Sequence, residues 1–206
     1  MCCLFGLMDC QHRLTAKQKN RIITALSVAA EARGRDATGI AYNSGGKLRI
    51  YKRPLPAQRM HFRVPEDAAV IMGHTRMATQ GTARKNRNNH PFIGQVGGTD
   101  FAPAHNGVLW NDRYLRRSRD LPATKTETDS YVAGRSRLWL SGKHANQVKL
   151  DCGGILKIGA DGTLSRDRFA CSGLLGWYEN PWLFCPTGTV DARSRKRTRI
   201  WRNCGP

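Results

Sequence analysis

Met1-Cys2-Cys3-Leu4-Phe5-Gly6-Leu7 opens the chain, and residue 2 is its most informative position. Cysteine is small enough for removal of the initiator methionine to expose it as a new N-terminus. A thiol and a free α-amino group would then share one residue. A free cysteine, with a pKa of about 8.5, is mostly protonated at neutral pH. An α-amine, at about 7.7–8.0, is a competent base there. One residue can thus supply nucleophile and general base, the arrangement of enzymes that use a terminal amine as base. The apolar run behind Cys2 is ended by polar residues and predicts a buried first strand. In such a strand Cys3 points away from Cys2.

The 206 residues suffice for one well-buried core. Hydrophobic residues at 40% and charged residues at 24% fit a globular protein. No apolar run approaches the roughly 18 residues of a membrane helix, and the start lacks the basic segment of a secretory signal. The expected location is cytoplasmic, with no membrane partner. The seven cysteines, at 2, 3, 10, 152, 171, 185 and 204, form no CxxC pair. A zinc ribbon or a disulfide framework is therefore not expected, and the last four read as reduced thiols. The net charge of +19, with a pI near 10.4, favours adventitious contact with polyanions. No common nucleic-acid motif accompanies it. The run Arg193-Ser194-Arg195-Lys196-Arg197-Thr198-Arg199 reads as a solvated tail, so no specific nucleic-acid partner is expected.

Ile22, Ile23, Leu26, Ala29 and Ala30 recur at helical spacing, predicting a helix over 17–33 with Thr15 as N-cap and Gly34 as stop. Strands follow at 39–42 and 48–52, joined at Ser44-Gly45-Gly46 as a hairpin. A further strand spans 68–72 and ends at Gly73-His74-Thr75-Arg76. Residues 81–90 are polar and read as a loop, 102–108 carry a strand into a glycine turn, and a helix starts at Thr128. Strands that come early and consecutively, with helices set apart, favour a layered α+β fold over an alternating parallel one.

Five short segments carry chemistry together. They are the opening Met1–Gly6; Arg33-Gly34-Arg35-Asp36-Ala37-Thr38-Gly39; Gly73-His74-Thr75-Arg76-Met77-Ala78-Thr79; Ala104-His105-Asn106-Gly107; and Thr126-Glu127-Thr128-Asp129-Ser130. Their order and spacing resemble the glutaminase domain of class II glutamine amidotransferases, a family of N-terminal-nucleophile hydrolases, over residues 1 to about 133. The resemblance implies a four-layer α/β/β/α sandwich with the site where Cys2 emerges from the sheets.

L-Glutamine is a zwitterion with a distal amide, so its site must hold a carboxylate, an ammonium and a carbonyl carbon at once. Arg76 offers a planar fork for the carboxylate, and Asp129 an acceptor for the ammonium. Attack of the Cys2 thiol creates an oxyanion that wants fixed donors. The Asn106 side-chain amide and the Gly107 backbone N–H can supply them. The resemblance assigns these same roles, and implies that Met77 and Thr79 line the glutamine pocket. Asp36 reads as structural, satisfying backbone donors beside the site. His74, His90 and His105 lack metal-ligand spacing and read as packing or supporting hydrogen-bonding groups; no metal and no cofactor are expected. The expected activity is hydrolysis of L-glutamine to glutamate and ammonia through a Cys2 thioester, with a separate synthase or ammonia-acceptor chain as partner. Two other readings stay open: a different N-terminal-nucleophile amidohydrolase, and an inactive remnant whose basic charge serves binding.

The chain departs from the family at Cys3, usually glycine, and at Met77, where several members carry an aromatic residue. Residues 134–206 depart most. They are basic, contain Trp177, Trp182 and Trp201, and show poor hydrophobic periodicity. They read as a shifted reading frame or a much-diverged C-terminal half, which would leave the sandwich incomplete at that end. The coding DNA decides between these. An alternative frame continuing the expected helix and strands identifies a frameshift, and its absence sinks that reading.

Overall fold

Every residue of β1 (Cys3–Met8) is buried, and the strand's two faces feed two different cores. Cys3, Phe5 and Leu7 pack with Ile23 and Ala30, whereas Leu4 and Met8 pack with Ala41, Met72, Ala102, Ala104 and Ile158. A strand buried on both faces reads as an unbroken apolar run because both sides of its pleat meet other layers. The computed structural model describes residues 2–96, 98–118, 124–135, 154–159, 164–167, 175–176 and 182–184.

In chain order β1 is followed by α1 (Ala16–Ala30), β2 (Ala37–Ser44), β3 (Lys47–Arg53), β4 (Val70–Arg76), β5 (Gly94–Val96) and β6 (Thr99–Asn106). Then come α2 (Asp112–Ser118), α3 (Asp129–Arg135), β7 (Gly154–Gly159), β8 (Leu164–Asp167), β9 (Leu175–Gly176) and β10 (Trp182–Phe184). One sheet has the order β3-β2-β4-β1-β10-β9 and the other β5-β6-β7-β8. The sheets face each other across the core that holds Leu4, Met72 and Ala104. Helix α1 covers the outer face of the first sheet, and α3 lies against β6 of the second. This is the α/β/β/α layering expected from the sequence.

Local signals explain the elements. Thr15 caps α1 in a reciprocal capping box: its hydroxyl accepts from Gln18 N–H at 3.3 Å, and Gln18 Oε1 accepts from Thr15 N–H at 2.9 Å. The β2–β3 turn uses Gly45 and Gly46 at φ 55° and 68°, the left-handed pair that tight hairpins favour. Two expectations need correction. The strand expected over 68–72 starts at Val70 and runs on through Arg76, because β1 and β2 pair with it on both sides. Helix α2 lies where no element was expected.

Parts of the atypical segment do join the fold. β7 pairs with β6, β8 with β7, and β10 with β1, so this segment extends both sheets. The run 193–199, Trp177 and the last four cysteines lie outside the described residues.

A buried ion pair fastens α1 beneath the end of β1. Lys19, fully buried, contacts Asp9 at 3.1 Å and donates to the carbonyls of Glu66 at 2.6 Å and Ala68 at 2.7 Å. Burial alone would raise the Asp9 carboxyl. The N–H groups of Arg13 and Leu14, together with Lys19, outweigh it and hold the group below its ordinary value. Replacing Lys19 with Met leaves Asp9 buried without its cation. The variant is expected to lose about 3–5 kcal/mol in denaturant unfolding. In the parent chain the Asp9 contribution is complete above the ordinary carboxylate value of 3.8 and is lost as pH falls through its lower folded value.

Candidate active site

Antiparallel pairing of Cys3 with Thr75 puts Cys2 beside Arg76 and Met77 at the sheet end. The Cys2 thiol accepts from Met77 N–H at 3.4 Å and lies 3.5 Å from the Met77 carbonyl oxygen. Cys3 points the other way into the α1 core, so the missing glycine does not crowd the thiol. Burial pushes the Cys2 thiol above its ordinary value, while the Met77 N–H and the Arg76 charge pull it down. The thiol is therefore protonated at neutral pH and needs a base. Arg33 Nε donates to the Cys2 carbonyl at 3.3 Å, anchoring the backbone behind the thiol.

The 31–39 segment shapes the end of β4. Asp36 N–H donates to the Arg76 carbonyl at 2.9 Å, and the Asp36 carboxylate accepts from Ala78 N–H at 2.7 Å. The Asp36 carboxylate thus satisfies a backbone donor on the loop after β4. Gly34 is required by close approach: a Cβ there would lie 2.5 Å from the Arg76 carbonyl carbon and 2.7 Å from Met77 N.

Arg76 is buried. Its Nη1 donates to Asn89 Oδ1 at 2.8 Å, and its Nη2 donates to the carbonyls of Gln80 at 2.5 Å and Gly81 at 3.0 Å. These bonds fix the orientation of the guanidinium. Asp129 opens α3, and its Oδ2 accepts from Leu109 N–H at 2.6 Å. Burial raises the Asp129 carboxyl. Cys2, Arg76 and Asp129 act on one another electrostatically, so the structure gathers these three into one locus. Asn106 and Gly107 follow at the end of β6, in the second sheet. Met77 and Thr79 are exposed on the loop after β4. That loop returns through Asn88, which is fully buried and exchanges hydrogen bonds with Glu127 at 2.9 Å in each direction. Lys85 pairs with the same carboxylate.

Behind the site lie three buried histidines. His74 Nε2 is 3.0 Å from the His105 carbonyl, and His105 Nδ1 is 2.9 Å from Ser130 Oγ. His90 makes no such bond among the described residues. It packs between the His74 ring, at 4.1 Å between centroids, and Phe92, at 4.4 Å. No metal-binding group of histidine, cysteine or carboxylate side chains forms among the described residues. Burial holds His74 down to about 3, His105 to about 4, and His90 well below its ordinary value. Lys52, lowered to about 8 by burial and then by the Arg76 charge, donates to the carbonyls of Asn89 and Pro91 at 2.6 and 2.8 Å.

Asn89, Arg33, Leu109 and Ser130 were not singled out from sequence. Asn89 stood inside an Asn-rich loop, and Ser130 inside a quoted motif. Nothing in the sequence pointed to the backbone N–H of Leu109.

The family model for class-II glutamine amidotransferases matches residues 1–133. The glutamine–fructose-6-phosphate aminotransferase (isomerizing) of Symbiobacterium thermophilum is 35% identical over 107 residues, which is 50% of this chain and 17% of that protein. Its namesake from Mycobacterium tuberculosis is 33% identical over 111 residues, again 50% and 17%. The chain therefore spans only a small part of these relatives. Among solved structures, the glutamine phosphoribosylpyrophosphate amidotransferase of B. subtilis superposes with a TM-score of 0.66 at 18% identity, over 89% of this chain and 41% of that one. That likeness concerns the fold.

Histidines buried in the neutral form make the fold acid-sensitive. Unfolded histidines take up protons below about 6.5, whereas these three do not until much lower pH. Stability is therefore expected to fall as pH drops from about 6.5 toward 4, by up to about 1.4 kcal/mol per pH unit for each histidine. Urea unfolding across that range measures the slope. His90→Phe is expected to reduce it by one histidine's share, and an unchanged slope would contradict the assignment.

Proposed function

The chain belongs to the class-II glutamine amidotransferases, and on that premise we propose that it hydrolyses L-glutamine to glutamate and ammonia through a thioester on Cys2. The observation that carries the proposal is the Cys2 thiol on the Met77 N–H, with Arg76 and Asp129 in electrostatic reach. A carboxylate-binding fork and an ammonium acceptor flanking one thiol suit a free α-amino acid.

With Met1 removed, the Cys2 α-amine takes the thiol proton. The burial that keeps this thiol protonated makes an adjacent base necessary. Arg76 holds the substrate carboxylate and Asp129 its ammonium, which brings the side-chain amide to Sγ. The C–S bond forms as the carbonyl becomes an oxyanion, held by the Asn106 amide and the Gly107 N–H. Collapse breaks the C–N bond, and the α-ammonium of Cys2 protonates the departing ammonia. Water, deprotonated by the same amine, then cleaves the thioester to glutamate. Met77 and Thr79 would form the pocket wall, Met77 more yielding than an aromatic ring. The reaction needs no cofactor.

Residues 1–133 form the glutaminase unit in this proposal, and 134–206 a basic segment that lends strands to both sheets. The partner in this proposal is an ammonia-accepting synthase unit, and the location is cytoplasmic. No helix among the described residues is long and apolar enough to cross a membrane.

Intact mass before and after a diazo-ketone analogue of glutamine tests the proposal without any acceptor. The expected result is loss of Met1 and a single adduct that Cys2→Ala abolishes. Processed protein that takes no adduct rejects a competent glutamine site. Arg76→Lys keeps the charge but loses the fork, so KM for glutamine is expected to rise about 10–100-fold, measured by glutamate release.

A further inference from the structure

The hydrogen bonds around His105 have a direction that follows from the chemistry of each atom. The His105 carbonyl only accepts, so His74 Nε2 carries the proton that it receives at 3.0 Å. The Ser130 hydroxyl lies 3.4 Å from Asp129 Oδ1, and a carboxylate oxygen only accepts, so the hydroxyl donates there. His105 Nδ1, 2.9 Å from the same hydroxyl oxygen, is its donor in the tautomer that serves both contacts. The chain runs from the His74 ring to the His105 backbone, and from the His105 ring through the Ser130 hydroxyl to the carboxylate. Each link is buried.

This chain touches the elements that carry Arg76, Asn106 and Asp129. His74 stands two residues before Arg76 on β4. His105 immediately precedes Asn106 on β6, and Ser130 immediately follows Asp129 on α3. Alternation along β6 sends the His105 ring toward α3 and the Asn106 side chain to the opposite face. The outward face of that strand can thus be fastened without obstructing the oxyanion side. The Leu109 N–H holds Asp129 Oδ2 while Ser130 addresses Oδ1, so both carboxylate oxygens have a fixed donor.

Resting on the glutaminase reading, we propose that Ser130 is a positioning residue: its hydroxyl, clasped by His105, sets the Asp129 carboxylate relative to the oxyanion strand and so fixes where the glutamine ammonium sits. The long 3.4 Å link to Oδ1 is the one that shortens when the ammonium is bound, as hydrogen bonds of unliganded sites commonly do. A hydroxyl donating to a carboxylate also favours its charged form, so the Ser130 hydroxyl adds to the Leu109 and Ser130 backbone N–H groups in opposing the burial that raises Asp129.

The test is steady-state glutamine hydrolysis by the full chain across pH for Ser130→Ala, Ser130→Cys and Ser130→Thr. Alanine and cysteine are expected to raise KM about tenfold, the scale of one hydrogen bond to a charged group, with kcat changed far less. The acidic limb of kcat/KM is expected to move to higher pH, because Asp129 then protonates more readily. Threonine keeps the hydroxyl and is expected to retain both parent values. Cysteine matches serine in size, so its agreement with alanine separates the lost hydroxyl from a packing defect. The clasp is overturned if KM and the acidic limb stay put, if kcat alone falls, or if cysteine behaves as serine does. A parent chain that turns over no glutamine overturns the glutaminase reading and the clasp together; an active parent with unaffected variants overturns the clasp alone.

Discussion

The register of β1 against β4 is the constraint on which the site depends. Cys3 faces Thr75, Leu4 faces His74 and Phe5 faces Gly73. Phe5 could not lie flat across a side chain at residue 73, where a Cβ would stand 2.2 Å from its ring. Glycine at that position therefore locks the pairing sterically. The same register puts Cys2 next to Arg76 and its thiol on the Met77 N–H. A slip of one residue would turn Cys3, Phe5 and Leu7 out of the α1 core and carry the Cys2 thiol away from the arginine. Packing of a central strand and placement of a reactive thiol are one requirement here.

Around that register the structure spends polar groups where a purely apolar core would be simpler. Lys19, Arg76, Lys52 and three histidines are buried or nearly so, and carbonyl oxygens receive most of their donors. Carbonyl acceptors fix position without adding formal charge, which leaves the few carboxylates with separate tasks. Asp9 neutralises Lys19, Asp36 shapes the turn after β4, Glu127 fastens the loop at Asn88, and Asp129 faces the site. In a chain with 34 basic and 15 acidic residues, each carboxylate at the site serves a definite neighbour.

The two sheets contribute unequally to this locus. The first places the Cys2 thiol and the Arg76 guanidinium at the ends of adjacent central strands. The second supplies Asn106 and Gly107, and α3 beyond it supplies Asp129. The His74–His105 contact crosses between the sheets directly behind these groups. Strands from beyond Gly134 flank both halves: β10 on the open side of β1 and β7 on the open side of β6. The strands bearing Cys2 and Asn106 are thereby interior strands rather than edges, which shields their unpaired backbone groups.

Much of this was legible in the sequence, for identifiable reasons. A short apolar run marked β1, Thr15 as N-cap marked the start of α1, and paired glycines marked the hairpin, because those signals are local. Cys2, Arg76, Asn106 and Asp129 could be named because their chemistry is tied to residue type. Alternation also showed that Cys3 would leave the site clear. The ends of elements were less legible: β4 continues through Arg76 because strands on both sides complete its hydrogen bonds, and no window of local sequence contains that. No local signal sets Lys19 or Glu127 apart from surface charges, and only the folded chain shows one in the core and the other on Asn88. The partners of Arg76 and the direction of the bonds from His74 to Asp129 join residues far apart in sequence. The sequence by itself determined which chemical groups this protein has and which faces of its strands are apolar. Tertiary structure alone decided which of those groups meet, because hydrogen bonding and desolvation depend on distances that the chain acquires only when its sheets close over one another.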